Sequence, residues 1–281
     1  MIYVVIVLYN KRLSDCDAVE YFLETACAAG LDRECTLAVY DNSPEVQKIP
    51  ANLASGIHYV HNGANGGVAD AYNYGLSMSR SDGDWLVLSD HDSQFPASYL
   101  HDMVTLIHEL KEDSSIVAIA PHVCCAGKPV SPCTVHLGGR VRPLALAFSG
   151  LHRGEIVAIN SGMAIRVSFV KRIGGFNSIF WLDYLDYWLC RMIHSAGKRI
   201  YIASPAIDHD LSVCDYDHLP EGRVENILRA EMDFYRHYKP WGEQVLYIFR
   251  LLYRGLKQIV QLDNKRIALT TLRAIRLFVA G

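Results

Sequence analysis

The sequence lacks the features that define several common classes of protein. It has no run of about 18 uninterrupted apolar residues, so no transmembrane helix is predicted. Positive charge is not in excess, since 27 lysines and arginines stand against 30 acids for a net charge of -3. A nucleic-acid partner is therefore not expected. With 51% hydrophobic and 20% charged residues, the 281 residues should form one or two globular domains.

Signals for secretion and for disulfide bonding are also missing. The chain opens on Met1-Ile2-Tyr3-Val4-Val5 without a basic leader segment, and its eight cysteines are scattered. Reduced thiols in a cytoplasmic protein are expected. One cluster could hold zinc, but its spacing fits no standard zinc pattern and buried thiols are favoured. It consists of His122, Cys124, Cys125, Cys133 and His136.

The first 120 residues alternate short β-branched runs with longer amphipathic ones, which predicts βαβ units and a largely parallel sheet. Polar loops follow each predicted strand, and ligands bind beyond the carboxyl ends of such strands. We predict strands over residues 3–9, 36–40, 57–60 and 85–88, with helices over 15–29 and 68–79.

The following segment is harder to interpret. Residues 121–154 are rich in glycine, proline and cysteine, which predicts an irregular insertion over the sheet edge. After it we expect a strand over 156–165, helices over 168–173 and 184–196, and a further strand over 200–203.

The last 39 residues differ in charge from the rest. Residues 243–281 contain seven basic and two acidic residues, or 7 − 2 = +5. Leu246, Phe249, Leu252, Leu256 and Ile259 recur at helical spacing with basic residues between them. Basic amphipathic helices suit an anionic membrane surface. Helices packed on the sheet with solvated charges fit this pattern equally well.

Two acidic motifs are the strongest chemical signals. Asp90 and Asp92 follow the buried run 85–88, where they could share one divalent cation or simply form a turn. Asp183 and Asp186 lie three residues apart at the start of a predicted helix, on one face. They could supply a general base or only compensate the helix dipole. His209, between Asp208 and Asp210, is a candidate metal ligand.

Other catalytic motifs are absent. The segment 63–67 does not match the dinucleotide fingerprint, and neither Gly127-Lys128 nor Gly197-Lys198 continues as a phosphate-binding loop. No serine lies in a nucleophile elbow. Nicotinamide chemistry, nucleotide hydrolysis and serine hydrolysis are therefore disfavoured.

Five segments of the chain carry a further signal, namely residues 4–10, 40–43, 62–75, 90–93 and 181–186. Taken in order, they resemble the family 2 glycosyltransferases of the GT-A fold. The resemblance runs from Ile2 to about Ser212. It implies an α/β fold with a mostly parallel, nucleotide-binding sheet flanked by helices, followed by a C-terminal helical extension. The implied domains are 1–215, with a nucleotide-binding half (1–120) and an acceptor and catalytic half (121–215), and a helical region, 216–281.

The resemblance also implies roles for individual residues. Asp186 would be the catalytic base with Asp183 nearby, and Asp90, Asp92 and His209 would hold Mg²⁺ or Mn²⁺ against the diphosphate. The donor sugar would be bounded by Asn160, Ser161, Gly162, Met163 and Trp181. The nucleotide would contact Leu8, Tyr9, Asn10, Asp41, Asn62, Asn65, Gly66, Asn73, Ser89, Asp90 and His91.

Within the family, the motifs are most similar to those of bacterial rhamnosyltransferases of O-antigen and capsule synthesis, although His91 stands where those enzymes usually carry Gln. This implies inverting transfer from dTDP-rhamnose to a saccharide or lipid-linked acceptor, with peripheral contact at the inner membrane face. Three alternatives stay open: a UDP-hexose-dependent transferase, a non-catalytic nucleotide-sugar-binding subunit, and a glycoside hydrolase.

Overall fold

The central strand of the main sheet is β1 (Ile2–Leu8). All seven of its residues are buried, as expected for an apolar strand with both faces covered. It pairs in parallel with β2 (Cys35–Asp41) and β4 (Trp85–Asp90), and β3 (Ile57–His61) pairs in parallel with β2. The four predicted strands are therefore confirmed. β4 runs two residues further than predicted, so Asp90 is its last residue.

Helices cover this half of the sheet. The predicted helices are present as α1 (Asp17–Ala28) and α2 (Gly67–Met78). A third, α3 (Tyr99–Leu110), was not predicted, although its buried residues fall at helical spacing. Those residues are Tyr99, Leu100, Met103, Val104 and Ile107.

Three strands extend the sheet beyond β4. They are β12 (Ala164–Arg166), antiparallel to β4, then β6 (Ile116–Cys125) and β13 (Arg199–His209), which are parallel to each other. The sheet order is β10-β13-β6-β12-β4-β1-β2-β3. The prediction of a mostly parallel α/β sheet is thus confirmed. The short strands are β5 (Ser93–Gln94), β7 (Lys128–Ser131), β8 (Cys133–His136), β9 (Arg140–Pro143), β10 (Gly150–Leu151) and β11 (Ile156–Val157).

Two predictions in this part of the chain are wrong. The insertion does not begin at residue 121, because residues 121–125 complete β6, where all but Cys125 are buried. The strand predicted over 156–165 is two strands, β11 and β12, separated by a turn. The composition of residues 121–125 suggested a loop, and that of residues 156–165 gave no sign of the turn between the two strands. Two helices follow, α4 (Val167–Arg172) and α5 (Leu185–Ser195).

The structure describes residues 1–31, 33–209 and 219–280, and the chain divides into two units. The first is Met1–Thr134 with Pro143–Asp210, and the second is Val135–Arg142 with Leu211–Gly281. The second unit contains three helices, α6 (Glu221–Tyr238), α7 (Trp241–Gln261) and α8 (Lys265–Ala280), so the predicted C-terminal helices are confirmed. Among the described helices, none has the length and apolar character needed to span a bilayer.

The second unit contains a buried ion cluster. The Glu231 carboxylate, only 2% exposed as a residue, accepts hydrogen bonds from Arg250 at 2.6 Å and from Arg254 at 2.7 Å. Arg250 also donates to the carbonyl of Gly139 and lies over the ring of Tyr235. The two arginines therefore neutralise an acid inside the unit instead of contributing free surface charge.

Candidate functional site

The carboxyl ends of three neighbouring strands lie at one edge of the sheet. In the parallel register, Leu8 of β1 is opposite Asp41 of β2, and Val7 is opposite Asp90 of β4. Asp41 and Asp90 are therefore two strand spacings apart, or about 10 Å. This edge brings together the polar loops that the sequence analysis singled out.

Asp41 is fully buried and its carboxylate is held by three donors. The backbone N–H of Ser43 donates to Oδ1 at 2.9 Å, while Gln47 Nε2 at 2.9 Å and the Tyr59 hydroxyl at 2.7 Å donate to Oδ2. Burial and the bond to Asp41 raise the pKa of Tyr59 to about 12, so its hydroxyl stays a donor. Gln47 and Tyr59 carried no motif and were missed from sequence.

We expect Tyr59→Phe to lower the free energy of unfolding by about 1–3 kcal/mol, because the buried carboxylate of Asp41 loses a hydrogen bond that water cannot replace. Urea unfolding at neutral pH measures this change. The exposed Tyr253→Phe is the matched control and should leave unfolding unchanged. Equal stability of Tyr59→Phe and the native chain would show that this hydroxyl does not support Asp41.

A cleft of about 560 Å³ opens beside Asn10 and Ser43. Asn10 has a left-handed backbone, with φ of 50°, and its N–H donates to the Ser43 hydroxyl at 2.9 Å. Tyr9 is exposed next to it. The cleft therefore starts where β1 and β2 end. Its lining is Asn10, Lys11, Arg12, Leu13, Ser14, Ser43, Pro44, Glu45, Gln47, Lys48 and Pro50.

The loop before α2 is held in place by the chain's own groups. Asn62 donates to the Tyr40 hydroxyl at 3.0 Å, and Asn65 has a left-handed backbone. A side chain on Gly66 would collide with the Asp70 carboxylate. Gly67, with φ of 72°, faces the carbonyl of Trp181 so closely that only glycine fits. That carbonyl also accepts a hydrogen bond from the backbone N–H of Val68, the second residue of α2, at 2.7 Å.

Three residues predicted to bind ligand make contacts within the protein. The amide of Asn73 exchanges two hydrogen bonds, both 2.8 Å, with the backbone of Phe176, so both of its polar atoms are engaged within the protein. The side chains of Leu8 and Met163 are fully buried among apolar residues. These three side chains therefore support the fold around the site, and their contact with a ligand stays a prediction.

The acidic residues of two distant segments surround one buried tyrosine. Tyr72 of α2 is 1% exposed, and its pKa is raised well above the ordinary value by burial and by the charges of Asp90, Asp186 and Asp92. In the fold, the charges of Asp90, Asp92 and Asp186 thus all act on this one side chain. Tyr72 was not identified from sequence, where it appeared only as one residue of a helical segment.

Asp90 is positioned by bonds on both sides of its motif. Its Oδ2 accepts from the Ser161 hydroxyl at 2.6 Å. The next residue, His91, has its Nδ1 3.2 Å from the carbonyl oxygen of Val7 in β1. Buried Ser89 donates to the carbonyl of Asp90 at 3.1 Å. The segment is therefore fixed to β1 and to the turn before β12.

That turn supplies a polar atom next to the acidic residues. Asn160 is buried, and its Oδ1 has no hydrogen-bond partner within the described chain. Gly162 donates to the carbonyl of Leu88 at 2.7 Å, which fixes the turn against β4. Ser161 therefore contacts Asp90, and its neighbour Asn160 retains an acceptor for a ligand. The predicted contact of both residues with the donor sugar stays a prediction.

Asp186 lies in the first turn of α5. Burial, together with the charges of Asp183 and Asp90, raises its pKa to about 6, against a hydrogen bond from the Tyr187 N–H at 2.8 Å. A carboxylate whose pKa lies near the working pH can accept a proton effectively. The residue predicted as base thus has the electrostatic environment that a base requires.

The backbone next to Asp186 is strained. Tyr184, immediately before α5, has φ of 64°, which is rare for a residue with a side chain. Its ring stacks on that of Tyr187 with centroids 4.7 Å apart. Such strain clusters at functional sites. Nothing in the sequence signals this backbone conformation.

The predicted metal ligands are only partly described. Among the described side chains, no group of three or more His, Cys, Asp or Glu residues is placed to hold a metal ion. The cysteine-rich cluster considered for zinc is therefore not placed as a metal site either. The side chain of His209 lies outside the described residues. Its backbone in β13 pairs with Ser93, the residue after Asp92. The set of Asp90, Asp92 and His209 therefore stays a prediction.

Comparison with known proteins supports the fold and the type of domain. Residues 3–135 match the family described as Glycosyl transferase family 2. No curated protein sequence matches the chain significantly. Among solved structures, S. aureus TarS 1-349 is similar with a TM-score of 0.52 and 13% identity, over 99% of this chain and 89% of that one. Residues 3–135 are therefore similar to Glycosyl transferase family 2, and the chain has the GT-A fold predicted from its sequence.

Proposed function

We propose that the chain is an inverting, metal-dependent glycosyltransferase of bacterial surface polysaccharide synthesis. The proposed donor is dTDP-rhamnose, and the acceptor is a saccharide or a lipid-linked saccharide. Residues 1–215 would form the transferase, with the nucleotide in 1–120 and the acceptor and catalytic residues in 121–215. The family match of residues 3–135 supports the transfer of a sugar. The rhamnosyl donor rests on the resemblance of the acidic motifs alone.

The observation that carries the proposal is the separation of roles among the carboxylates around Tyr72. Asp186 is desolvated and has a raised pKa, which suits proton transfer. Asp90 ends a strand beside the nucleotide-side loops and is oriented by Ser161. Two carboxylates in different environments can serve different steps of one reaction.

The reaction is then a single displacement. Asp186 takes the proton of the acceptor hydroxyl as that oxygen forms a bond to the anomeric carbon. The bond from this carbon to the diphosphate oxygen breaks on the opposite face, and the nucleoside diphosphate leaves with the bonding electrons. Asn160, through its unpaired Oδ1, is available to accept a hydrogen bond from a donor-sugar hydroxyl. No covalent intermediate with the protein is required.

The proposed metal set fits hard divalent cations. Asp90 and Asp92 supply carboxylate oxygens, and the pairing of His209 with Ser93 puts the backbone of a third candidate ligand beside them. When bound, Mg²⁺ or Mn²⁺ would neutralise charge that develops on the leaving diphosphate. The charges of Asp90 and Asp92 both act on Tyr72, which supports their closeness.

At the other end of the site, the cleft fits the nucleoside. Lys11, Arg12 and Lys48 line it, and Asp41 is held at its inner side through Gln47 and Ser43. Cationic side chains favour an anionic ligand, so they suit the phosphate-bearing side of a nucleoside diphosphate. We further propose that the chain meets lipid-linked acceptors at a membrane surface through the helices of residues 216–281.

Calorimetric titration of dTDP and UDP, with Mn²⁺ and then with EDTA, tests the proposal. Metal-dependent binding is expected for both diphosphates if the site is a transferase site, with dTDP tighter if rhamnose is the donor. The monophosphate dTMP is the matched control and should lose most of the metal dependence, because it lacks the second phosphate. Absence of binding by either diphosphate would contradict the proposal, and tighter UDP binding would favour a hexosyl donor.

A further inference from the structure

The outward-facing surface of α7 is unusually apolar. Four of its large side chains are more than 60% exposed: Trp241 at 78%, Phe249 at 63%, Tyr253 at 68% and Val260 at 81%. Soluble helices normally turn their apolar side inward. We define the outer face of α7 as the exposed residues Leu246, Phe249, Leu252, Leu256, Ile259 and Val260.

These six residues form one continuous stripe. At 3.6 residues per turn they span roughly 140° of the helix circumference. The inward side holds Tyr247, Leu251, Gly255 and Gln258, which are buried. Gly255 allows close packing there, because a side chain at this position would collide with Leu272 of α8. The direction of α7 is therefore set by packing on α8, and the apolar stripe is left facing water.

Positive charge accompanies this apolar stripe. Exposed cations follow on α7 and α8, namely Lys257, Lys265, Arg266, Arg273 and Arg276. The acids of the same segment are Glu243, which pairs with Lys239 at 3.5 Å, and Asp263. Leu269 and Leu277 are exposed among the α8 cations. The solvent side of α7 and α8 thus combines apolar side chains with net positive charge.

We propose that the outer face of α7 inserts into the interfacial region of an anionic phospholipid bilayer, with the exposed cations of α7 and α8 on its headgroups. Apolar side chains flanked by lysine and arginine are the composition of helices that lie in a membrane surface. The aromatic rings of Trp241 and Tyr253 suit the boundary between headgroups and acyl chains. A second copy of the chain fits less well, because like charges would face each other.

The two helices contribute different parts of the binding. Burial of α7 side chains supplies an apolar term that is insensitive to salt, while the α8 cations supply an electrostatic term that salt screens. This distinguishes the surface from a purely electrostatic patch. The bilayer's role as a partner of the transferase rests on the proposed function. Bilayer binding itself requires no donor or metal and can be measured without them.

Co-sedimentation of the full chain with phosphatidylglycerol-containing vesicles and with neutral phosphatidylcholine vesicles tests the proposal. Stronger binding to the anionic vesicles is expected, weakening as salt rises. Leu256→Glu should lower the partition coefficient roughly tenfold or more, because a leucine no longer enters the bilayer. Arg273→Glu with Arg276→Glu should lower it by at least roughly thirtyfold, at about fivefold for each lost cation, and should flatten the salt dependence.

Leu146→Glu in the first unit is the matched control, since Leu146 is 44% exposed and Leu256 is 53% exposed. It should bind vesicles as the native chain does. Both leucines are exposed, so circular dichroism and thermal unfolding should be unchanged in each variant. Equal binding to neutral and anionic vesicles, or unchanged binding of Leu256→Glu, would overturn the proposal.

Sedimentation velocity distinguishes bilayer binding from self-association of the chain. If the native chain self-associates without binding vesicles, and Leu256→Glu makes it monomeric, the outer face of α7 contacts a second copy and the bilayer proposal is wrong. The nucleotide titration reports independently on the transferase site in the first unit. Failure of one proposal therefore leaves the other intact.

Discussion

Asp186→Asn is expected to lower kcat for sugar transfer by roughly 10²–10⁴-fold, the range that general-base catalysis contributes, while binding of the nucleoside diphosphate is retained. Asparagine keeps the shape of the side chain but cannot accept the proton of the acceptor hydroxyl. Steady-state transfer assays combined with calorimetry of the nucleotide measure both effects. Loss of turnover with retained binding would also argue against a non-catalytic nucleotide-sugar-binding subunit.

The pH profile gives a second readout for Asp186. Its raised pKa of about 6 means that the native enzyme should lose activity as pH falls through about 6, when the carboxylate becomes protonated. The residual activity of Asp186→Asn should lack this acidic limb. Asp183→Asn is the matched control. Removing the Asp183 charge should lower the pKa of Asp186, and so move the limb to lower pH without a comparable loss of kcat.

Stability provides the fold control for this variant. The folded state holds a proton on Asp186 more tightly than the unfolded state does, because the pKa is raised in the fold. The free energy of unfolding therefore falls as pH rises from the ordinary aspartate pKa toward about 6, and the loss persists above it. Asp186→Asn removes this loss in the free energy of unfolding, because asparagine does not ionise, and the variant should be no less stable than the native chain at pH 7. If Asp186→Asn retained full transfer activity, Asp186 would not be the base.

Asp92→Ala is expected to weaken metal-dependent binding of the nucleoside diphosphate at least a hundredfold. Loss of a residue that only hydrogen-bonds to a metal ligand already lowers metal affinity roughly 10–100-fold, and Asp92 is proposed as a ligand itself. Asp92 follows β4 and its charge acts on the same buried tyrosine as Asp90 and Asp186. Calorimetry of dTDP with Mn²⁺ and with EDTA separates the metal-dependent part. The weak binding that remains in EDTA should be equal in the variant and the native chain.

Asp82→Ala is the control for Asp92→Ala. Asp82 is an exposed aspartate that precedes β4, at the opposite end of the strand, and it pairs with Lys171 at 3.5 Å on the surface. This substitution should leave nucleotide binding unchanged with and without metal. If Asp92→Ala binds dTDP with native affinity in Mn²⁺, Asp92 is not a metal ligand and the proposed set is wrong.

Local sequence patterns were sufficient for the first half of the fold. The strand β1 is an uninterrupted apolar run, and such a run is stable only when both faces are covered. Asp41 and Asp90 could be assigned to one edge because parallel strands carry their carboxyl ends together. Asp186 was identified from its acidic motif. These features depend on neighbours in sequence or on a general rule of sheet geometry.

The second half depended on contacts between distant segments. Residues 121–125 resemble a loop by composition but are buried in β6, and residues 156–165 conceal a turn between two strands. The apolar residues of α3 recur at helical spacing in the sequence, although no helix was predicted there. The hydrogen bond from the Asn73 amide to Phe176, 103 positions away, also could not be read from local sequence.

By itself, the sequence determined the α/β class, the strand-end acids and the amphipathic character of the tail, because each follows from the spacing of apolar and charged residues along the chain. Only the tertiary structure decided which side of α7 faces water, since packing of Gly255 on Leu272 sets its orientation. Only the tertiary structure surrounded Tyr72 with carboxylates and raised the pKa of Asp186 to about 6. Desolvation and charge proximity depend on residues that are far apart in sequence, and folding alone brings those residues together.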